Sequence, residues 1–152
     1  LFGGPKITRG ALGGYIERYH NLSQEGNSWV SYEAKVYGNA RIENDAIVGG
    51  DAEVFDNARV RDDALVFENA EVFGNAVIGR NAKVEGCAKV YGNARVIDHA
   101  TVGGSANVFG NAKVKSRAQV SWRAIVYDNA MVTNKAVIGN EAIVCDNSVV
   151  LM

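Results

Sequence analysis

The amino-acid sequence predicts an all-β fold, a single-stranded parallel β-helix of about seven triangular coils with three hexads in each coil. The first observation is a period of six: every sixth residue from Val30 to Val150 is Val or Ile. The residue two places earlier is Ala throughout, except for Ser28 and Ser148 at the two ends. Side chains two residues apart in an extended segment point to the same side. The two series therefore predict an interior filled by Val and Ala.

A second period, three times as long as the first, closes the coil. Asn recurs at every 18th position from Asn39 to Asn147. An aromatic residue recurs with the same spacing at Tyr37, Phe55, Phe73, Tyr91, Phe109 and Tyr127. Three hexads therefore make one triangular coil, and we expect successive coils to stack about 4.8 Å apart, the distance between paired strands. We also expect the Asn side chains to bond to one another along their column, as in cross-β ladders.

The hexad itself carries a resemblance to a known family. Val36-Tyr37-Gly38-Asn39-Ala40-Arg41 resembles the consensus of the hexapeptide-repeat superfamily, and the match runs from Ser28 to Val150. The resemblance implies a left-handed winding and, commonly, a homotrimer. The Gly-Asn-Ala-x-Val form is most similar to uncharacterised proteins of bacteria and their phages that are labelled acyltransferases.

The register divides the chain into three parts. We expect residues 1–10 to be a disordered lead or a remnant outside the fold, residues 11–27 to form an N-terminal cap, and residues 28–152 to form the β-helix. We expect Leu12, Tyr15, Ile16 and Tyr19 to cover the first coil. The last four residues, 149–152, are apolar, and an uncovered coil edge recruits other chains. End-to-end contacts through the C-terminal coil are therefore expected.

Composition excludes several classes of protein. A formal net charge of −1 excludes a globally basic nucleic-acid binder, and no apolar run is long enough to cross a membrane. Two Cys do not make a disulfide scaffold, and no secretory signal is visible, so a cytoplasmic location is expected. The carbonic-anhydrase branch of the resembled superfamily needs three His, whereas only His20 and His99 are present. We expect neither a metal nor a cofactor.

Two of the three outward faces are candidates for self-association. The aromatic column on the first face either stabilises the coil as a ladder or forms a subunit or ligand interface. The third face is apolar around Ile47, Leu65 and Phe67 and competes for the same role. The sequence does not choose between the two faces.

The second face and the corners beside it are rich in cations. This face carries Arg41, Arg59, Arg61, Arg95, Lys113 and Lys115 against one carboxylate, Glu43. Arg117, Trp122 and Arg123 follow at corners of the coil that carries Lys113 and Lys115. These residues are either paired with the acids of the flanking corner or free to bind an anion, for which Arg offers a planar fork of donors.

The sequence therefore favours a non-catalytic binding or scaffold module that self-associates and presents its basic face to an anionic partner. The alternative is an acyltransferase. The resemblance implies a His general base, and His99 is the only His inside the repeat, with Lys113, Lys115 and Arg117 to take the phosphates of an acyl-CoA substrate. The register between Ser28 and Val150 is never interrupted by the loop that such enzymes usually carry, which weighs against this alternative.

Overall fold

Each Ala-x-Val step of the sequence forms a short parallel strand. The structure is a computed structural model that describes residues 12–152, so the predicted lead lies outside the described residues. These residues form 22 strands in three sheets, and no α-helix occurs between residues 12 and 152. The prediction of an all-β parallel solenoid with three sheets is confirmed. The left-handed sense of winding stays a prediction.

The three sheets are named here by their outward residues. The aromatic sheet has eight strands: β1 Tyr15–Ile16, β3 Lys35–Val36, β6 Glu53–Val54, β9 Glu71–Val72, β12 Lys89–Val90, β15 Asn107–Val108, β18 Ile125–Val126 and β21 Ile143–Val144. The basic sheet has seven: β4 Arg41–Ile42, β7 Arg59–Val60, β10 Val77–Ile78, β13 Arg95–Val96, β16 Lys113–Val114, β19 Met131–Thr133 and β22 Val149–Leu151. The third sheet also has seven: β2 Trp29–Val30, β5 Ile47–Val48, β8 Leu65–Val66, β11 Lys83–Val84, β14 Thr101–Val102, β17 Gln119–Val120 and β20 Val137–Ile138. From β2 to β22, each residue pairs with its equivalent on the next coil, as in Val77↔Arg95, so columns of equivalent residues run along the solenoid.

The core consists of the two periodic series. Every Val or Ile of the series from Val36 to Val132, and every Ala from Ala34 to Ala136, has an exposed fraction of 0%. Each buried Val contributes on the order of 1.5–3 kcal/mol to folding. No hexad covers its own apolar face, so stability comes from stacking neighbouring coils.

The corners depend on a left-handed backbone conformation at one residue in six. From Tyr32 to Asp146, every sixth residue has a positive φ, between 56° and 70°. Most of these residues are Gly, Asn or Asp, which adopt this conformation with the least strain. We call the turn from the aromatic to the basic sheet the first corner, the turn from the basic to the third sheet the second corner, and the remaining turn the third corner.

The N-terminal segment packs differently from the prediction. Leu12, Tyr15 and Tyr19 have exposed fractions of 94%, 57% and 77%, so they do not cover the first coil. Of the four predicted covering residues, only Ile16 packs against the core. Because β1 is only two residues long and pairs with β3, it turns just one of its side chains inward.

The buried anchor of this segment is a polar residue. Asn21 ends the 3-10 turn Tyr19–Asn21 and is 0% exposed. Its Nδ2 donates to the carbonyl oxygens of Gly38 and Ala40 at 3.2 and 2.8 Å, and its Oδ1 accepts from the backbone N–H of Arg18 at 2.7 Å. Burial of an amide is tolerated when its polar atoms are bonded in this way.

Candidate binding surfaces

The aromatic sheet carries one continuous stack of rings. Neighbouring rings from Tyr37 to Tyr127 have centroids 4.8–5.2 Å apart and planes within 11° of parallel. All six predicted aromatic residues are half-buried, because each ring covers the face of the next. The surface that remains is a row of ring edges, and the predicted use of this row as an interface stays a prediction.

Ion pairs flank the aromatic stack. Lys35 donates to Glu53 at 2.9 Å, and Lys89 lies 3.0 Å from Glu71. The hydrogen bond from Lys35 lowers the pKa of Glu53, and the same contact raises the pKa of Lys35. Tyr37 donates to Glu53 at 3.0 Å, and burial together with this bond raises the pKa of Tyr37 to about 12.

The N-terminal half of the basic sheet is largely neutralised. Arg59 donates from Nη2 to both carboxylate oxygens of Glu43, at 2.9 and 3.0 Å. Arg61 has its Nε 4.0 Å from Asp62. Arg41 lies beside Arg59, His20 and two Asn side chains in a shallow groove of about 520 Å³. Pairing with acids, one of the two alternatives that the sequence leaves open, therefore describes Arg59 and Arg61.

Arg41 has no carboxylate partner among the described residues, and the other unpaired cations of this surface lie further along the solenoid. Among residues 12–152, no carboxylate oxygen comes within 4.0 Å of the side-chain nitrogens of Arg95, Lys113, Lys115 or Arg117. Arg95 and Lys113 are paired neighbours in the sheet, and Lys115 and Arg117 follow Lys113 along the same coil. We call these four residues the basic strip.

Acidic residues at all three corners have another role, which the sequence did not reveal. An acidic residue at a positive-φ corner position accepts the backbone N–H of the equivalent residue one coil later. Four examples are Asp56 to Gly74, Asp62 to Arg80, Glu68 to Gly86, and Asp98 to Ser116, at 2.7–3.1 Å. These N–H groups take no part in the backbone ladder, so the carboxylates supply their partners. The signal available in the sequence was an acidic residue at a corner position, one whole coil before the residue whose backbone N–H it accepts.

His99 lies in a groove at the second corner. The groove has a volume of about 750 Å³ and is lined by Arg80, Asn81, Asp98, His99, Ser116, Arg117, Asn134, Lys135 and Met152. Asp98 accepts from the N–H of Ser116 at 3.0 Å and from the guanidinium of Arg80, and these two contacts lower its pKa. Among the described residues, no hydrogen bond joins the carboxylate of Asp98 to the His99 ring. Arg117 lies one coil from His99, as the register predicts.

Trp122 and Arg123 do not join the basic strip. They lie at the third corner, beyond β17, in a separate groove of about 460 Å³ with Asn140 and Glu141. Trp122 is 69% exposed, and Arg123 pairs with Glu141 at 3.2 Å. The predicted cluster of five residues on one coil is thus divided between two corners.

The third sheet is flat around its three large apolar side chains. Ile47, Leu65 and Phe67 are all half-buried. A Cβ atom placed on Gly49 would lie 2.6 Å from Cε1 of Phe67, so the Phe67 ring lies over the glycine of the preceding coil. The absence of a side chain at position 49 is what lets this ring lie flat.

Few groups elsewhere suggest reactive chemistry. Cys87 and Cys145 are free. Within the described part of the chain, no three His, Cys, Asp or Glu residues gather as a metal site would require. No helix of residues 12–152 is long and apolar enough to cross a membrane.

Comparison with protein families supports the repeat. The chain is similar to the YdcK beta solenoid repeat. The similarity covers residues 34–50, 88–104 and 124–140, about a third of the chain, and each matched segment is close to one coil in length. No curated protein matches the chain. The family similarity and the three-sheet structure together support a repeat β-solenoid family.

Proposed function

We propose that this β-solenoid is a non-catalytic scaffold that binds a polymer bearing phosphate or sulfate groups along the basic strip. The observation that carries the proposal is that Arg95, Lys113, Lys115 and Arg117 have no carboxylate partner among the described residues. Exposed cations are usually solvated or paired at little gain. Four unpaired cations on two adjacent coils offer a polyanion several contacts without breaking an existing ion pair.

The shape of the strip favours an extended ligand. Arg95 and Lys113 are one strand apart, about 4.8 Å. Lys113 and Lys115 both point outward from one coil, and Arg117 lies at its corner. Small-molecule sites are usually concave and bury most of the ligand, whereas this strip runs over a sheet face. Arg95 and Arg117 supply the forked donors that phosphate and sulfate groups accept bidentately.

Binding of two polyanions tests the proposal and separates their chemistry. A single-stranded oligonucleotide and a heparin oligosaccharide are titrated by fluorescence anisotropy at several salt concentrations. We expect Lys113→Gln with Lys115→Gln to weaken binding at least tenfold. For the oligonucleotide, the slope of the logarithm of the binding constant against the logarithm of the salt concentration should become shallower by about 1.4, since each lost phosphate contact removes about 0.7 from that slope. The matched control is Lys35→Gln with Lys89→Gln, which removes two paired lysines from the aromatic sheet. Equal affinities for the two double variants, or no binding of either polymer by the unmodified protein, would contradict the proposal.

The second-corner groove supports a second candidate, an acyltransferase with His99 as general base and acyl-CoA as substrate. The supporting observation is that His99 shares the groove with Arg80, Arg117 and Lys135, cations that could take donor phosphates. Lys113 and Lys115, which the sequence assigned to the donor, do not line it. Transfer of the acetyl group from acetyl-CoA to an added amine or hydroxyl acceptor releases CoA as a thiol; acceptor-dependent CoA release, measured with a thiol reagent and lost in His99→Asn, would support this candidate. Equal rates for both proteins would reject it.

Self-association is the remaining part of the proposed function. The resemblance implies a trimer through the aromatic edges or the third sheet, and end-to-end contacts through the C-terminal coil stay an expectation. Sedimentation equilibrium distinguishes a trimer from a dimer by mass. Phe73→Asp with Phe109→Asp tests the aromatic edges, and Leu65→Asp with Phe67→Asp tests the third sheet.

A further inference from the structure

The charge of the solenoid is divided along its long axis. Residues 12–75 carry 12 carboxylates and 5 cations, whereas residues 76–152 carry 5 carboxylates and 9 cations. The first segment therefore has a formal charge of −7 and the second a charge of +4, with His neutral. Because the coils stack in sequence order, this division is a division in space. Two such molecules attract most strongly when they lie side by side in opposite directions.

One column at the second corner shows the division most clearly. Its members occupy equivalent positions in successive coils and are all exposed: Asp45, Asp63, Asn81, His99, Arg117 and Lys135. Within the described residues, Asp63, Arg117 and Lys135 have no ion-pair partner. Asp45 accepts two hydrogen bonds from Asn27, at 3.1 and 2.7 Å, and keeps its charge free of a cation.

We propose that the chain forms an antiparallel homodimer through the third sheet and the second corner. A two-fold axis that lies in the interface, perpendicular to the solenoid, reverses the order of each column in the partner. It brings opposite members of the second-corner column together in three kinds of pair: Asp45 with Lys135, Asp63 with Arg117, and Asn81 with His99. Every pair is complementary, and each occurs twice because a two-fold interface is isologous.

A parallel arrangement lacks this complementarity. Three-fold or other parallel packing about the same corner places each residue beside its own copy, so Arg117 meets Arg117 and Asp63 meets Asp63. Opposed like charges cost energy and suppress such associations. The column therefore favours the dimer over a parallel trimer on this surface.

The same two-fold axis also fits the side chains of the third sheet. In the column nearest the second corner, it pairs Ile47 with Val137, Leu65 with Gln119, and Lys83 with Thr101. In the next column, it pairs Gly49 with Gly139, Phe67 with Ser121, and Glu85 with Gly103. Val137 is 56% exposed, and its contact with Ile47 covers two apolar side chains. In the second column, the two large side chains each meet a small residue, which allows the sheets to approach.

The third corner contains the one mismatch. There the axis brings Asp51 near Glu141, and Arg123, which pairs with Glu141 at 3.2 Å, comes opposite Asn69. Because Arg123 lies at the same corner and pairs with Glu141, its positive charge offsets part of the repulsion between Asp51 and Glu141. The area is also modest: the six strands of the third sheet that face the partner, from β5 to β20, span about 24 Å, and five extended residues span about 17 Å. A sheet face of that size lies at the low end of specific interfaces, so we expect a dimer that dissociates in the micromolar range and weakens with salt.

Charge reversal tests the antiparallel dimer, and sedimentation velocity from 1 to 200 µM measures the association of each variant. Asp45→Lys with Asp63→Lys makes the column positive at both ends, and Arg117→Asp with Lys135→Asp makes it negative at both ends. We expect the unmodified chain to dimerise, each reversed chain alone to associate at least tenfold more weakly, and an equimolar mixture of the two to recover a dimer. The single variant Asp63→Lys leaves the Asn27 contacts intact and weakens association in the same direction.

Arg117 belongs to both the basic strip and the proposed interface, so the controls that separate the two proposals leave it in place. Lys113→Gln with Lys115→Gln alters the basic sheet outside the interface, so it leaves the dimer unchanged even where it abolishes polymer binding. Circular dichroism establishes that each variant is folded, and a variant that unfolds is replaced by the single substitution Asp63→Lys or Arg117→Asp. A monomer at 200 µM, a trimer, or a mixture that stays monomeric would overturn the antiparallel dimer.

Discussion

Truncation of a single core side chain tests the stacking of coils. Val90 in β12 is 0% exposed and lies between Val72 and Val108 in the aromatic sheet. Val90→Ala removes two methyl groups from this column. At about 0.8 kcal/mol for each, the lost transfer free energy is about 1.6 kcal/mol, and the cavity raises the total loss in the free energy of unfolding to roughly 2.5 kcal/mol.

Denaturant unfolding followed by circular dichroism measures this loss, provided that one cooperative transition is seen. His99→Ala is the matched control, because His99 is exposed at a corner. We expect the control to shift the free energy of unfolding by less than about 0.5 kcal/mol, as surface substitutions usually do. Equal losses for Val90→Ala and His99→Ala would refute the assignment of inward and outward positions.

Three further predictions concern the columns outside the core. Phe73→Ala removes a ring that lies between two others, with centroids 4.8 Å away on each side. We expect thermal unfolding to show that the free energy of unfolding falls by about 1–3 kcal/mol. The control Glu71→Ala, on the same strand, should change it little. Asn75→Ala removes two hydrogen bonds of the Asn ladder, each 3.2 Å long. Because both bonds are exposed, we expect the free energy of unfolding to fall by only about 1 kcal/mol. An unchanged melting temperature would mean that water replaces the two bonds fully. The pKa of Asp98 is lowered in the folded state from 3.8, so its ionised form stabilises the fold above that value and this contribution disappears as the pH falls through the folded-state pKa. Asp98→Asn is therefore less stable than the unmodified protein at pH 7 and closer to it at pH 2, whereas a constant difference in free energy of unfolding at both pH values would contradict the stated sign.

The fold could be predicted from the sequence because its rule is local and repeated. A Val or Ile at every sixth position fixes the interior, and the recurrence of Asn and aromatic residues once in every coil fixes the triangular cross-section. The predicted Asn ladder is present as five hydrogen bonds of 3.1–3.2 Å from Asn39 to Asn129. Each column repeats one environment, so a single correct register assigns every residue within it.

The N-terminal segment was predicted less well because no period constrains it. Its apolar residues suggested a hydrophobic cover, whereas only Ile16 and Leu22 pack against the core in part, and the fully buried side chain is the Asn21 amide. Local composition does not reveal that two carbonyl groups of a neighbouring coil, at Gly38 and Ala40, need a donor. Only the three-dimensional path of the segment brings them together.

The candidate site was predicted in part. The outward direction of the cations followed from the register, but their pairing depends on acids that lie on the neighbouring coil. Arg59 finds Glu43, and Arg80 finds Asp98, whereas Lys113 finds no carboxylate among the described residues. Side-chain reach across coils decides which cations stay free, and the hexad pattern does not encode that reach.

The closure of the coil after three hexads limits how such a protein can change its length. Insertion or deletion of one whole coil keeps every column in phase, so the ring stack, the amide ladder and the charged columns all continue. A change of one or two hexads preserves the Val and Ala interior but turns everything beyond it by one or two faces. Rings would then follow cations, and each acidic corner residue would meet a different corner of the next coil. Natural and engineered length variants should therefore differ by whole coils, with the outer surface, rather than the core, as the part that selects them.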